Sequence, residues 1–371
     1  MKKAVIIIPT YNEVDNISNL INSLFSLSKT IKGWQIELIV VDSTSPDKTS
    51  SSVRKLQKEH ANLHLLSTKK EGLGRAYLKG ITFALNKLGA DVVFEMDADF
   101  SHNPQVIPDF LRKIDEGADF VIGSRYIRGG SIPADWSLDR KFFSVFGNLI
   151  IRAGFMKIRI TDWTSGYRAI RSWVLESSLK HLEKYSGYVF QVALLDESLK
   201  KNAKVSEIPI TFIDRRYGVS KINTFQYMSQ TLWYVFTHSS FIRYFIVGVA
   251  GASIDFGLSF LIIEVFKIAH NLFWLATLVS AEAAVIFNFF ANNFWSFSHK
   301  KLTHRLSSYF LAFLKFSAVA VGALAIQAFG IQYLTNIFGA RYWFVYKFFI
   351  IALVIIPYSY FLYNKVIWKS K

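Results

Sequence analysis

The sequence predicts two units: an α/β unit on a doubly wound, mostly parallel sheet, then an all-α unit of four membrane-spanning helices. Three observations predict them. Short apolar runs alternate with amphipathic stretches through residues 1–222. Hydrophobic residues make up 51% and aromatics 16%, with a mean hydropathy of +0.26, yet charged residues still make up 19%. That mixture suits a chain that is half soluble and half membrane-embedded. Apolar runs of spanning length occur only after residue 240.

Taken in order, Ala4 to Ile8 is a continuous apolar run, the pattern of a strand buried on both faces. The loop Pro9-Thr10-Tyr11-Asn12-Glu13 follows, and Asn16 or Ser18 is placed to cap a helix over Ile17 to Leu27. Ile36 to Val41 is the second strand and ends at Asp42. After the turn Ser43-Thr44-Ser45-Pro46-Asp47, a helix runs to about His60, and Leu63 to Leu66 is the third strand. Gly72-Leu73-Gly74 opens a helix to about Leu88; these glycines read as a turn or as a phosphate cradle at a helix N-terminus. Val92 to Met96 is the fourth strand, and Phe120 to Ile122 the next, ending at Gly123-Ser124-Arg125. Alternating strands and helices demand a parallel, doubly wound sheet. Pro9, Asp42 and Asp97 then fall at carboxyl ends of strands, where such sheets hold their ligands.

Asp97-Ala98-Asp99 is the organising stretch of this unit. In an extended segment its two carboxylates point to one side. They repel unless a cation lies between them, and hard oxygen donors suit Mg²⁺ or Mn²⁺, which also binds substrate phosphates. The first strand-to-helix loop lacks the glycines of a dinucleotide site, which argues against a dehydrogenase. The net charge of +16 fits anionic lipid or phosphorylated substrates. Nucleic acid fits poorly, because the aromatics sit in apolar runs and not on a basic stacking platform. With no cysteine, disulfides are excluded. The run after Met1-Lys2-Lys3 is too short for a signal peptide and reads as the first strand of a cytosolic unit.

Ile7-Ile8-Pro9-Thr10-Tyr11-Asn12-Glu13, Val40-Val41-Asp42, Met96-Asp97-Ala98-Asp99, Gly123-Ser124-Arg125-Tyr126 and Thr164-Ser165-Gly166-Tyr167-Arg168 resemble, in this order, the family 2 glycosyltransferases of GT-A fold. Within that family they resemble the polyprenyl-phosphate hexose synthases of the dolichol-phosphate mannose synthase type. The resemblance implies inverting, metal-dependent transfer of one hexose to a polyprenyl or dolichyl phosphate. GDP-mannose is the first candidate donor; UDP-glucose or a UDP-N-acetylhexosamine with undecaprenyl phosphate is the alternative. It implies that Pro9, Tyr11, Glu13, Val40 and Asp42 hold the nucleoside, and that Asp97, Ala98 and Asp99 meet the metal and the diphosphate. Arg125, Arg140 and Ser144 would grip the acceptor phosphate, with Asp99, Arg125 and Arg140 carrying catalysis. Arg215 and Lys221 would close over the diphosphate as part of a lid that excludes water. Three positions depart from the family pattern. Ser43 follows Asp42 where a second acidic residue is common, Ser101 stands where some relatives place a third metal ligand, and Ala193 stands where a glutamate is usual. A hydroxyl, a water or His102 could replace the third ligand, and the nearest acidic residues to Ala193 are Asp196 and Glu197.

The chemistry needed agrees with these residues. A departing diphosphate needs cations in a dry, preorganised site, and an oxocarbenium-like state is helped by carboxylates. A lipid phosphate is already anionic near neutral pH, so it needs arginines to position it and no strong base. Phe142, Phe143, Phe146, Leu149, Ile150 and Phe155 form an apolar helical face that suits either core packing or a membrane interface.

Beyond this unit, residues 223–240 read as an interfacial helix, because polar residues interrupt it. Residues 241–371 carry spans at about 242–264, 272–295, 309–335 and 343–363. Lys300, Lys301 and Arg305 in the middle loop, with Lys365, Lys369 and Lys371 in the tail, put both termini and the first unit on the cytoplasmic side of the cell membrane. Phe245, Gly251 and Ala252 recur as Phe316, Gly322 and Ala323 at an offset of 71 residues, and Phe290, Asn293 and Phe297 as Phe361, Asn364 and Trp368. The segment is therefore a duplicated helical hairpin, and it resembles the GtrA-like membrane family associated with polyprenyl-linked sugars. Asp255 and Glu282 lie within spans, where charge is costly; pairing with Lys315 or Lys347 and substrate binding are both open. A processive polysaccharide synthase is disfavoured, because its Q-x-x-R-W motif is missing. The competing reading from another class is a lipid-linked sugar transporter with a degenerate enzyme head.

Overall fold

The computed structural model describes residues 1–214, 224–267, 273–300, 302, 306–339, 341, 345–346 and 349–368. The chain divides into two compact units, Met1–Val235 and Phe236–Lys371. Arg215 and Lys221 lie outside the described residues.

The first unit is a seven-stranded sheet with helices on both faces. Its strands are β1 (Lys2–Thr10), β2 (Trp34–Asp42), β3 (Leu63–Ser67), β4 (Val92–Glu95), β5 (Phe120–Ser124), β6 (Arg168–Arg171) and β7 (Val205–Pro209). Its helices are α1 (Val14–Ser28), α2 (Thr49–Leu56), α3 (Leu73–Phe83), α4 (Ile107–Asp115), α5 (Leu138–Gly154), α6 (Ser172–Leu182), α7 (Val189–Lys200) and α8 (Thr224–His238), the last running across the unit boundary. The sheet order is β3-β2-β1-β4-β6-β5-β7. All pairings are parallel except those of β6, which runs antiparallel between β4 and β5. The sheet is mostly parallel, as expected; the antiparallel member comes from Arg168–Arg171, which continues a stretch that reads in sequence as a loop yet fills the gap beside β4.

Alternation along the strands decides what each face buries. Ala4, Ile6 and Ile8 join Leu38, Val40, Phe94, Ile17, Leu20 and Ile21 in one core layer with α1 and α4. Each such side chain contributes about 1.5–3 kcal/mol when fully buried, so a one-residue register slip is strongly disfavoured. Helix α1 begins earlier than expected, at Val14, with no side-chain cap; Asn16 lies inside it and donates to Glu13 Oε2 at 3.0 Å. On the opposite face α3 packs against β1 and β2. A Cβ at Gly74 would lie 2.3 Å from the Tyr185 carbonyl, and the Gly74 N–H donates to Ser186 O at 2.7 Å. Close packing on residues 185–187 therefore accounts for Gly72 and Gly74, and the turn reading holds over the phosphate cradle.

The second unit contains α9 (Ser240–Val265), α10 (Phe273–Ala291), α11 (Leu306–Phe338) and α12 (Ile350–Ile367). Among the described residues, α9 and α12 are long and apolar enough to cross a membrane, and Ser307–Ala323 is a shorter apolar stretch. The repeat is visible in the packing. A Cβ at Gly251 would meet the Asn288 amide at 2.3 Å, and one at Gly322 would meet the Tyr358 hydroxyl at 2.9 Å, so each glycine faces the return helix of its own hairpin. The equivalent residues Phe297 and Trp368 stack on each other at 4.5 Å, and Trp368 Nε1 donates to Asn293 Oδ1 at 3.0 Å. Asp255 accepts from Ser280 at 2.6 Å, and no ion pair reaches it among the described residues. Lys347 lies outside them.

Candidate active site

The chain winds from β1 outward to β3 and then returns to β4 on the other side of β1. Such a reversal opens a crevice at the carboxyl ends of the strands. Thr10 ends β1, Asp42 ends β2, and Asp97 lies two residues beyond β4.

The turn after β4 is held from within. His102 Nδ1 accepts the Asp97 N–H at 3.0 Å, so in its neutral form the proton sits on Nε2, which lies 3.8 Å from Asp97 Oδ2. Burial pushes His102 down to about 4, which keeps it neutral. Its ring stacks on Tyr167 at 4.8 Å. With Nδ1 already engaged, His102 organises the turn and is unsuited to be the third metal ligand. Asp99 Oδ1 accepts the Ser101 N–H at 3.1 Å, and Phe100 takes a left-handed φ of 62° to allow it. The Ser101 hydroxyl is buried with no hydrogen bond among the described residues. The Asp97 side chain is 41% exposed, while Asp99 is buried and Ala98 belongs to the core. Among the described residues no cluster of three Asp, Glu, His or Cys side chains forms here. Two carboxylates with an orphaned hydroxyl beside them fit a hard cation that keeps water and takes the rest of its ligands from substrate phosphates. A Cβ at Gly166 would come within 3.9 Å of both Asp97 oxygens, so the 162–166 loop covers the turn closely.

At the nucleoside end the expected residues separate. Tyr11 lies under the Lys70 ammonium, 3.7 Å from ring centroid to nitrogen. Glu13 is half-buried, and its backbone N–H donates to Thr49 Oγ1 at 3.0 Å. Pro9 pairs with Val41 in the sheet. Val40 is fully buried in the core layer, so its side chain does not line the crevice as expected. Asp42 is only 1% exposed. Its oxygens accept from Thr10 Oγ1 (3.0 Å), Ser45 Oγ (2.5 Å), Ser45 N (3.0 Å) and Ser50 Oγ (2.6 Å), so it fastens the two loops that frame the crevice.

At the other end, Arg125 forks onto Asp162, with Nε to Oδ2 at 2.7 Å and Nη2 to Oδ1 at 2.8 Å. The Arg125 N–H also donates to Oδ2, and Nη2 to Thr164 Oγ1 at 2.8 Å. Burial works against both charges, but each holds the other ionised: the Asp162 carboxyl sits below the usual range and the Arg125 guanidinium above it. Arg140, Ser144 and Asn148 follow at helical spacing on one face of α5. Ser144 Oγ pairs with the Tyr126 hydroxyl at 2.6 Å, and Asn148 bridges Ser144 O and Thr164 Oγ1. Arg125 and Ser144 thus belong to one network. Arg140 is more exposed, pairs with Asp214 at 3.2 Å and stacks over Trp136. Sequence reading missed Asn148, although its four-residue spacing from Ser144 was a usable signal. The apolar face of α5 turns outward: Phe142 is 57% and Phe146 43% exposed, and they stack on each other at 5.0 Å. Core packing is therefore excluded for Phe142, Phe143, Phe146 and Leu149.

Asp196 accepts from the Tyr234 hydroxyl at 2.8 Å and pairs with Lys200, so it does not stand in for a carboxylate at Ala193. A further buried carboxylate near the site is Glu95, the last residue of β4, directly opposite Arg168 in the sheet. Burial pushes it up to about 7, with Arg168 opposing.

Over 333 residues the chain is 31% identical to a dolichol-phosphate mannosyltransferase of Pyrococcus furiosus, covering 88% of each chain. The chain belongs to the family 2 glycosyltransferases. Residues 5–179 match the glycosyl transferase family 2 model, and residues 243–368 match the transmembrane domain of the GtrA/DPMS family. This glycosyltransferase is also 37% identical over 224 residues to a polyprenol monophosphomannose synthase of Mycolicibacterium smegmatis, covering 60% of this chain and 82% of that one. A solved glucosyl-3-phosphoglycerate synthase of Mycobacterium tuberculosis aligns with a TM-score of 0.47 at 19% identity, covering 63% of this chain and 78% of that one. The enzyme therefore joins a glycosyltransferase unit to a membrane domain of apolar helices.

Proposed function

We propose that this glycosyltransferase moves a single hexose, mannose from GDP-mannose in the first instance, onto a polyprenyl phosphate with inversion at the anomeric carbon. The observation that carries this reading is the match through both units to a relative named as a dolichol-phosphate mannosyltransferase. The Arg125–Asp162 fork and the Arg140–Ser144–Asn148 face support it, because they gather phosphate-binding groups at one end of the crevice.

In this reading Tyr11 and Glu13 receive the nucleoside, while Asp42 braces the loops behind them. Asp97 and Asp99 hold Mg²⁺ or Mn²⁺, which supplies positive charge to the departing diphosphate. Arg125, Arg140 and Ser144 orient the acceptor phosphate for in-line attack, and no residue need remove a proton from it. The outward face of α5 lies in the membrane interface and guides the lipid tail. In the same reading all four helices of the second unit span the bilayer and the catalytic unit faces the cytoplasm, an orientation that the distribution of lysine and arginine supports.

A donor screen tests the reading. Purified enzyme in detergent receives farnesyl phosphate, Mn²⁺ or Mg²⁺, and radiolabelled GDP-mannose, UDP-glucose or UDP-N-acetylglucosamine in separate tubes. Label from GDP-mannose should enter the lipid phase and be abolished by EDTA. Transfer from a UDP-sugar instead would replace the donor, and no transfer from any of them would overturn the synthase reading.

A further inference from the structure

Four charged side chains that are almost wholly enclosed run in alternating sign beneath the crevice. Glu95, Arg168 and Asp162 are fully buried, and the Arg125 side chain is 10% exposed. Glu95 and Arg168 are direct partners across the β4–β6 ladder. The Arg168 guanidinium is spent on two carbonyls: Nη1 donates to Gln191 O at 2.6 Å and Nη2 to Trp163 O at 2.8 Å. Trp163 follows Asp162, whose carboxylate forks onto Arg125. Arg168 therefore fixes the backbone that aims Asp162, and Asp162 aims Arg125.

Glu95 is the odd member, because packing does not explain it. Among the described residues its oxygens, the Arg168 Nε and the Tyr77 hydroxyl are buried without a hydrogen bond of good geometry, and the Gln191 amide is the one side-chain donor that bears on the carboxylate. A buried carboxylate with a single neutral donor is costly unless it balances a charge, and Arg168 is the cation opposite it. Without Glu95, Arg168 would be a buried cation whose neighbours are carbonyls and the already engaged Asp162.

We infer that Glu95, Arg168, Asp162 and Arg125 form one alternating array of buried charges, and that Glu95 is a positioning residue that sets Arg125 through Arg168. Glu95 thereby links the strand that leads into Asp97 and Asp99 to the opposite end of the crevice. The effect on the acceptor rests on the proposed role of Arg125; the array itself does not.

Two measurements on the full-length enzyme in detergent separate these layers. The first is the nitrogen–proton NMR signal of the Arg125 Nε–H, assigned by its loss in Arg125→Lys. Glu95→Gln keeps the side-chain shape and does not touch Arg125, so a shifted or broadened Arg125 signal supports the array, whereas an unchanged one overturns it. The second is steady-state kinetics with GDP-mannose and farnesyl phosphate. Glu95→Gln and Arg168→Lys should each raise the acceptor KM about tenfold, as expected for coupled groups in one network, with donor KM nearly unchanged, and each should lower Tm because it disturbs a buried charge balance. Both KM values rising together by the same factor, or Glu95→Gln failing to fold, would make Glu95 merely structural and overturn the inference. A perturbed Arg125 signal in an enzyme that transfers no sugar to farnesyl phosphate would leave the array standing and remove the proposed function.

Discussion

Replacing Asp162 by alanine isolates the strongest electrostatic contact near the crevice. Asp162 is fully buried, and its carboxylate receives the Arg125 fork together with the N–H groups of Arg125 and Ser165. Alanine would leave the Arg125 guanidinium, only 10% exposed, without its counter-charge. Removing one partner of a buried pair costs about 3–5 kcal/mol, because the remaining charge is left uncompensated. For a unit of this size, each kcal/mol lowers Tm by about 2–4 °C, so the melt should fall by about 6–20 °C. The sign of the pH dependence follows from the same contact. The Asp162 carboxyl is held below its ordinary value despite burial, so its contribution is complete above about pH 4 and is lost as pH falls through the lower folded value. Near-UV circular dichroism of the intact enzyme in detergent measures both, wild type beside Asp162→Ala, at pH 7 and along a descending pH series. A drop below about 1 kcal/mol at pH 7 would show that the fork is no more than a surface-grade contact and would refute the reasoning.

Three further outcomes are expected. Asp99→Asn, or chelation of divalent cations, should lower kcat by at least about 10²-fold with Tm little changed; a variant retaining a tenth of its activity would remove Asp99 from the metal site. Gly74→Ala places a Cβ 2.3 Å from the Tyr185 carbonyl, so α3 must separate from the 185–187 segment at a cost of about 1–3 kcal/mol; an unshifted melt would show that the segment yields freely. The double variant Phe142→Ser, Phe146→Ser should keep its Tm, because both rings are exposed, while the KM for a long-chain polyprenyl phosphate rises about tenfold. An unchanged lipid KM would exclude α5 as the tail guide.

Much of the first unit was legible because its signals are local. A run such as Ala4–Ile8 or Val92–Phe94 is apolar at every position, which only a strand covered on both faces tolerates. The apolar helices after residue 240 were legible for the same kind of reason, and the repeat could be read by comparing the chain with itself. The Arg140–Ser144 spacing was local too, and Asn148 extends it.

What sequence could not supply was partnership across long separations. Asp42 reads as a substrate ligand at a strand end, yet it is enclosed by hydroxyls from three different segments. Val40 sits inside a recognisable motif, but strand alternation turns it into the core. Helix α5 is equally apolar whether its face is covered or not, and only packing showed that Phe142 and Phe146 are left outside. The antiparallel insertion of β6 brings Arg168 opposite Glu95, residues 73 positions apart by number, and brings Asp162 onto Arg125. The amino-acid order by itself therefore determined the strands, the apolar helices and the paired aspartates, which depend on neighbours a few residues away. The tertiary structure alone decided which charges neutralise one another, because a buried charge is defined by what the rest of the chain places beside it.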